Sequence, residues 1–202
     1  MTAEVPVEWW PDVKPDAARR LMAAALESFA VRGYHATTTR DIAAAAGMSP
    51  AALYVHFPSK AAVLFALSRS GHEKGLAMVR SAASGAGSPA ERMRVLVAEF
   101  VAWHAREHRG ARVIQYELNA LPEQEFAVVA ELRRQTERVV RDLITEGIAT
   151  GEFTVPDVKT AARAVLSLSI DVARWYSDGA GQSPDQLGGQ YAALVLPMLG
   201  SR

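Results

Sequence analysis

Two groups of residues in this chain have types and spacings suited to chemistry, and they point to different kinds of it. His104-Ala105-Arg106-Glu107-His108 matches the pattern H-x-x-E-H, in which two histidines on one helical face hold zinc and the glutamate handles a proton. Four residues apart on a helix, His104 and His108 do share a face. Against a metal, His104 falls on an apolar stripe and Arg106 adds positive charge beside the proposed cation. A metal-dependent hydrolase using His104, Glu107 and His108 is therefore only the alternative reading. No catalytic residue, metal site or cofactor is expected.

The second group is denser and lies between Gly33 and Lys60. Ser49, Ala51, Ala52, Tyr54 and His56 would form the outward face of the second of two short helices, and Tyr54, His56 and the following Lys60 suit gripping phosphates. Ser49, Ala51 and Ala52 are small enough to let a helix N-terminus sink into a groove. Ile42, Met48, Leu53 and Phe57 form an apolar seam that would lock two short helices onto a first one.

The elements that must position these groups are helical almost throughout. Asp16 is placed to cap a first helix carrying Leu21, Met22, Ala25, Leu26 and Phe29, which Gly33 stops. Thr38 starts a second, with Asp41 three residues on, and Gly47 ends it after two turns. Ser49 caps a third with Pro50 at its first position, Phe57-Pro58 ends it, and Ser59 caps a fourth. After a break at 83–88, Ser88-Pro89-Ala90-Glu91 opens a helix predicted to run to Gly110. A short helix over 112–119 precedes Leu121-Pro122, followed by long ones over 123–149, 157–177 and 183–199. The expected fold is all-α with about nine helices.

Composition narrows the classes further. The chain has 202 residues and no cysteine, which excludes disulfides, zinc-thiolate sites and cysteine nucleophiles. Its 22 basic and 22 acidic side chains cancel, so any polyanion must be held by a local patch. No stretch is long and apolar enough to cross a bilayer, and the first residues do not read as a signal peptide. The expectation is a cytoplasmic protein with no membrane partner.

The segment Gly33-Tyr34, Thr37-Thr38, Ile42-Ala43, Ala46-Gly47-Met48-Ser49 and Leu53-Tyr54-Val55-His56-Phe57-Pro58-Ser59-Lys60 resembles the DNA-binding domain of the TetR family of bacterial transcriptional regulators. One departure is Ala62, near where members often carry an acid. The resemblance implies an arm over 1–15, a three-helix helix-turn-helix domain over 16–60, and a helical ligand-binding and dimerisation domain over 61–202. It implies a homodimer on a near-palindromic double-stranded DNA operator. Thr38, Tyr54, His56 and Lys60 would then meet phosphates, and Arg40, Ser49, Ala51 and Ala52 base edges, with Thr39 and Pro50 beside them. Lys14, Arg19 and Arg20 are candidates for flanking backbone, while Trp9 and Trp10 are expected to pack on the domain.

In the sensor half, small and apolar residues of the last two helices (Ala161, Ala162, Val165, Leu166, Ser169, Ile170, Ala173; Leu187, Tyr191, Leu194, Val195, Met198) fit either an internal core or a dimer face. Phe100, Trp103, His104, Tyr116, Asn119 and Trp175 are the candidate ligand-binding residues, combining bulk with a few polar groups. Resemblance to the branch controlling lipid and steroid breakdown implies a small hydrophobic or acyl-CoA effector, with Arg112, Arg134 and Arg174 as candidate cations for coenzyme A. Gly71 and Gly75 weaken the helix after Lys60, which suits either a pivot or close packing.

Overall fold

Short polar caps and proline starts divide the chain into helices at the places where their chemistry demands it. A computed structural model describes residues 13–179 and 181–201; Trp9 and Trp10 lie outside them. The described helices are α1 (Asp16–Arg32), α2 (Thr39–Ala45), α3 (Pro50–His56), α4 (Lys60–Ala83), α5 (Pro89–Arg106), α6 (His108–Tyr116), α7 (Glu123–Ala149), α8 (Val158–Trp175) and α9 (Pro184–Met198). A 3-10 turn, Leu118–Ala120, follows α6. The fold is all-helical. No single described helix is long and apolar enough to cross a bilayer.

Three helices open with a reciprocal capping box: Thr38 with Asp41 on α2, Ser88 with Glu91 on α5, and Ser183 with Gln186 on α9. In each, the cap hydroxyl accepts the N–H three residues on, and that residue's side chain returns the bond. Asp16 does not cap α1. Pro15 occupies that position without a side-chain bond, and Asp16 sits in the first turn paired with Arg19, where its charge favours the positive end of the helix.

The chain divides into two units. The first takes the chain up to Gly71 together with Arg109–Val129. Its core joins Leu21, Met22 and Leu26 of α1 to Ile42, Leu53, Leu64 and Leu67, all essentially inaccessible. Arg109 pairs with Glu27 at 2.6 Å. An added Cβ on Gly71 would lie 2.7 Å from Ile114 Cδ1, so this glycine is accounted for by close packing.

The second unit comprises His72–His108 and the chain from Ala130 on. Here α5 packs against α8 and α9 around Met93, Leu96, Val97, Val165, Val172, Val195 and Leu199. The ring of Phe153 fills the notch left by Gly147, where a Cβ would come within 2.1 Å of it. At Gly75 an added Cβ would lie 3.4 Å from Phe100 and 3.5 Å from Trp103, ordinary contact distances. Packing is tight at Gly71 and leaves room for a methyl group at Gly75.

Two boundaries differ from expectation. α5 ends at Arg106, and Glu107 leaves helical geometry at φ −103°, ψ 22° before α6 begins at His108. His104 and His108 therefore do not occupy one face of one helix. Their Nδ1 atoms instead lie at hydrogen-bond distance from the carbonyls of Phe100 (2.8 Å) and Ala105 (3.0 Å).

Candidate nucleic-acid interface

The first unit builds its outer face from the way α2 and α3 are joined. α2 ends in a turn at Gly47, whose φ of +67° is costly for any residue with a Cβ. Met48 N–H closes the turn on Ala43 O at 2.8 Å. The turn is also held from α1: the Arg20 guanidinium donates to Ala46 O at 2.7 Å. Arg20 is thus a brace for the helix pair, and Arg19 is engaged with Asp16.

The entry to α2 is equally constrained. Thr37 is fully buried and its hydroxyl lies 2.8 Å from Gly33 O and 3.2 Å from Ser28 O. Asp41 accepts from both the N–H and the hydroxyl of Thr38, at 2.8 and 2.6 Å. These Thr38 bonds, with Arg32 nearby, hold the Asp41 carboxyl below its ordinary range. The Thr38 side chain therefore serves the cap first.

Outward, Thr39 and Tyr54 meet hydroxyl to hydroxyl at 3.1 Å. This bond ties the start of α2 to the middle of α3 and places both on one side of the helix pair. Arg40 is exposed beside Thr39 and has no hydrogen bond or ion pair among the described residues. Ser49 accepts from Ala52 N–H as the α3 cap. Pro50 and Ala51 are exposed on the first turn, Ala52 and His56 half-buried.

Lys60, expected as a phosphate contact, is held by backbone carbonyls within its own unit. Its ammonium donates to Tyr34 O at 2.7 Å and Thr37 O at 2.8 Å, and lies 4.2 Å from the centroid of the Tyr34 ring. Three carbonyls before α2, His35 O among them at 3.4 Å, give a cation a better-defined site than solvent does. Lys60→Met keeps the stem and removes the donors. It is expected to cost about 1–2 kcal/mol in urea unfolding, discounted for partial exposure. The salt dependence of DNA binding should stay as it is, whereas a lost phosphate contact would lower that slope by about one.

Sequence reading missed Val55. It is 79% exposed, the most exposed large apolar residue described, and lies two positions from both Leu53 and Phe57, which are buried. Two residues at helical pitch turn through about 200°, so the phase of the seam already assigned Val55 to the outer face. An exposed valine on such a helix suits a thymine methyl.

The six ligand-binding candidates are divided between the two units. Phe100, Trp103 and His104 form one aromatic cluster in the second unit, with ring centroids 4.4 to 6.0 Å apart. The indole Nε1–H of Trp103 is buried there without an acceptor among the described residues. Tyr116 and Asn119 are exposed residues of the first unit. Trp175 is 45% exposed at the end of α8. Of the candidate cations, Arg174 is held by Asp171 through two bonds, and Arg112 is an exposed residue of the first unit.

A family model described as "Bacterial regulatory proteins, tetR family" matches residues 16–67, and a second, "Tetracyclin repressor-like, C-terminal domain", matches residues 86–199. The chain belongs to the TetR family. It is 33% identical over 195 residues to the HTH-type transcriptional repressor KstR2 of Mycolicibacterium smegmatis, covering 92% of this chain and 93% of that protein. A TetR-family regulatory protein from Rhodococcus RHA1 shares the fold with a TM-score of 0.89 at 40% identity, covering 94% of this chain and 100% of the other. The ketosteroid transcriptional regulator KstR2 of Mycobacterium tuberculosis does so with a TM-score of 0.83 at 28% identity, over 95% and 97% of the two chains. TetR members are transcriptional regulators and not enzymes, which retires the hydrolase alternative. The helix-turn-helix of this TetR chain is the DNA-binding element, and the geometry above describes the surface it offers.

Proposed function

We propose that the chain is a cytoplasmic repressor that binds a near-palindromic operator as a homodimer and leaves it when a small hydrophobic or acyl-CoA-type effector binds. Residues 16–60 carry the operator contacts, and 61–202 the effector and dimer functions. The observation that carries the DNA reading is the Thr39–Tyr54 bond, which sets both short helices on one side with the unpaired Arg40 beside it. A guanidinium at such a place matches the O6 and N7 acceptors of guanine.

The dimer reading rests on the last two helices. Much of the stripe expected from sequence is internal: Ala162, Val165, Ser169 and Ala173 are buried within the unit, as are Leu187 and Val195. Leu168 and Trp175 of α8 and Leu194 and Met198 of α9 are left 42–67% exposed, an apolar set that suits a two-fold self-contact. The effector reading rests on the Phe100–Trp103–His104 cluster and the unsatisfied Trp103 N–H, together with the steroid-regulating relative.

Selection of binding sites from genomic DNA by the full-length chain tests the operator. The expected product is a near-palindrome with a guanine at one symmetric position. Arg40→Ala should relax that position and weaken binding there by about 1–3 kcal/mol, roughly 5- to 150-fold. A loss spread evenly over all sequences would move Arg40 to the phosphates; no loss would remove it from the interface.

A further inference from the structure

We propose that α3 reads base edges through methyl groups alone, that Val55 is the residue that does so, and that operator affinity therefore responds to cytosine methylation. Val55 lies about 200° round the helix from both Leu53 and Phe57, the two buried residues that fasten α3 to the core. It points directly away from that seam, and at 79% exposure it stands clear of its own unit. Ala51 is exposed one turn earlier on the same face. The middle of the outward face is an apolar strip.

The polar groups that border this strip have other partners. The Ser49 hydroxyl accepts the Ala52 N–H at 3.2 Å as the cap, and the Tyr54 hydroxyl meets Thr39 at 3.1 Å. His56 is half-buried. Pro50, Ala51 and Val55 carry no side-chain donor or acceptor. Polar reading of a base thus falls to Arg40, which belongs to α2.

A duplex offers such a strip one matching group. In the major groove, where a helix fits, base pairs differ in their donors and acceptors and in a single apolar feature, the thymine C5-methyl. Covering that methyl with the valine removes both from water. The gain is that of about one buried methyl group, roughly fourfold in affinity. An apolar contact is indifferent to the hydrogen-bonding groups on the rest of the base pair. 5-Methylcytosine carries its methyl on the same ring carbon, so it should be preferred over cytosine by the same factor. A regulator built this way registers methylation of its own operator.

This deepens the operator reading and rests on it for the duplex. In the selected operator, each thymidine is replaced in turn by deoxyuridine, which removes the methyl and leaves every hydrogen-bonding group in place. Fluorescence anisotropy with the full chain reads the affinities. In wild type, one thymine per half-site should show a loss of roughly fourfold. At that position, cytosine and 5-methylcytosine opposite guanine are then compared, and the methylated base should win by a similar factor. Val55→Ala should shrink both preferences to about twofold or less, while binding the deoxyuridine operator about as wild type does. The guanine preference carried by Arg40 should survive. Val128→Ala, a 43% exposed valine on α7, should change none of these.

Deoxyuridine tolerated at every position overturns the proposal and leaves the operator reading standing. So does a deoxyuridine penalty that Val55→Ala leaves intact, since another residue then holds the methyl. Preference for thymine without preference for 5-methylcytosine over cytosine overturns it as well, because the contact would not be apolar alone. Selection of no sequence at all overturns both readings. An exposed valine opens no cavity when shortened; should the variant still fail to fold, the wild-type deoxyuridine and 5-methylcytosine series decides by itself.

Discussion

Gly188→Ala is expected to lower the thermal midpoint of unfolding by roughly 6–12 °C. An ideal Cβ at this position would lie 2.3 Å from Ala98 O, 3.0 Å from Ala98 C and 3.2 Å from its Cα. All three are backbone atoms of α5, so no side-chain rotation relieves the clash, and α9 must back away from its main packing partner. Overpacking of this kind costs about 3 kcal/mol at the upper end of its usual range. For a chain of this length each kilocalorie moves the midpoint by roughly 2–4 °C. The neighbouring Gly189 has nothing within 4 Å of its absent Cβ. Gly189→Ala should therefore be neutral, or stabilising by up to about 1 kcal/mol through helix propensity alone. Calorimetric melting of both variants at one protein concentration separates the two; equal midpoints would mean that α5 and α9 are not in backbone contact.

Acidification should reveal a second large effect, centred on His104. Burial pushes its pKa down to about 4 from 6.5, with a smaller contribution from His72, while the bond to Phe100 O opposes the shift. Below pH 6.5 the unfolded chain takes a proton that the folded protein refuses until near pH 4. Between those values the unfolded state binds more protons, so stability falls as the pH falls. This one group should remove roughly 2 kcal/mol between pH 7 and pH 5. The window lies above the range in which Asp41, Glu131 and Asp157, all with lowered pKa values, begin to titrate. Urea unfolding at the two pH values measures the drop, and His104→Leu should remove most of it. A wild-type protein as stable at pH 5 as at pH 7 would show that the imidazole is solvated.

Much of this fold was written in short polar signals. Thr38 with Asp41 and Ser88 with Glu91 marked helix starts, because a cap is a contact between residues three apart and needs no knowledge of the rest of the chain. The failures share the opposite property. Asp16 resembled a cap, but its neighbour Pro15 took the position. His104 and His108 shared a helical face only for as long as the helix continued, and it stops at Arg106. The carbonyls that hold Lys60, those of Tyr34 and Thr37, lie more than twenty residues away and could not be foreseen from its neighbours. Tyr116, Asn119 and Trp175 had pocket-like chemistry, yet solvent exposure depends on distant packing that their own neighbourhoods do not encode. Val55 alone was within reach of a better count along α3.

The two cation-to-carbonyl braces, Arg20 on Ala46 and Lys60 on Tyr34 and Thr37, secure α2 at both ends before any duplex arrives. A reading head assembled in advance has little disorder to surrender on docking. The heat-capacity change of operator association should then follow the surface buried at the groove, without the added signature of a segment folding as it binds.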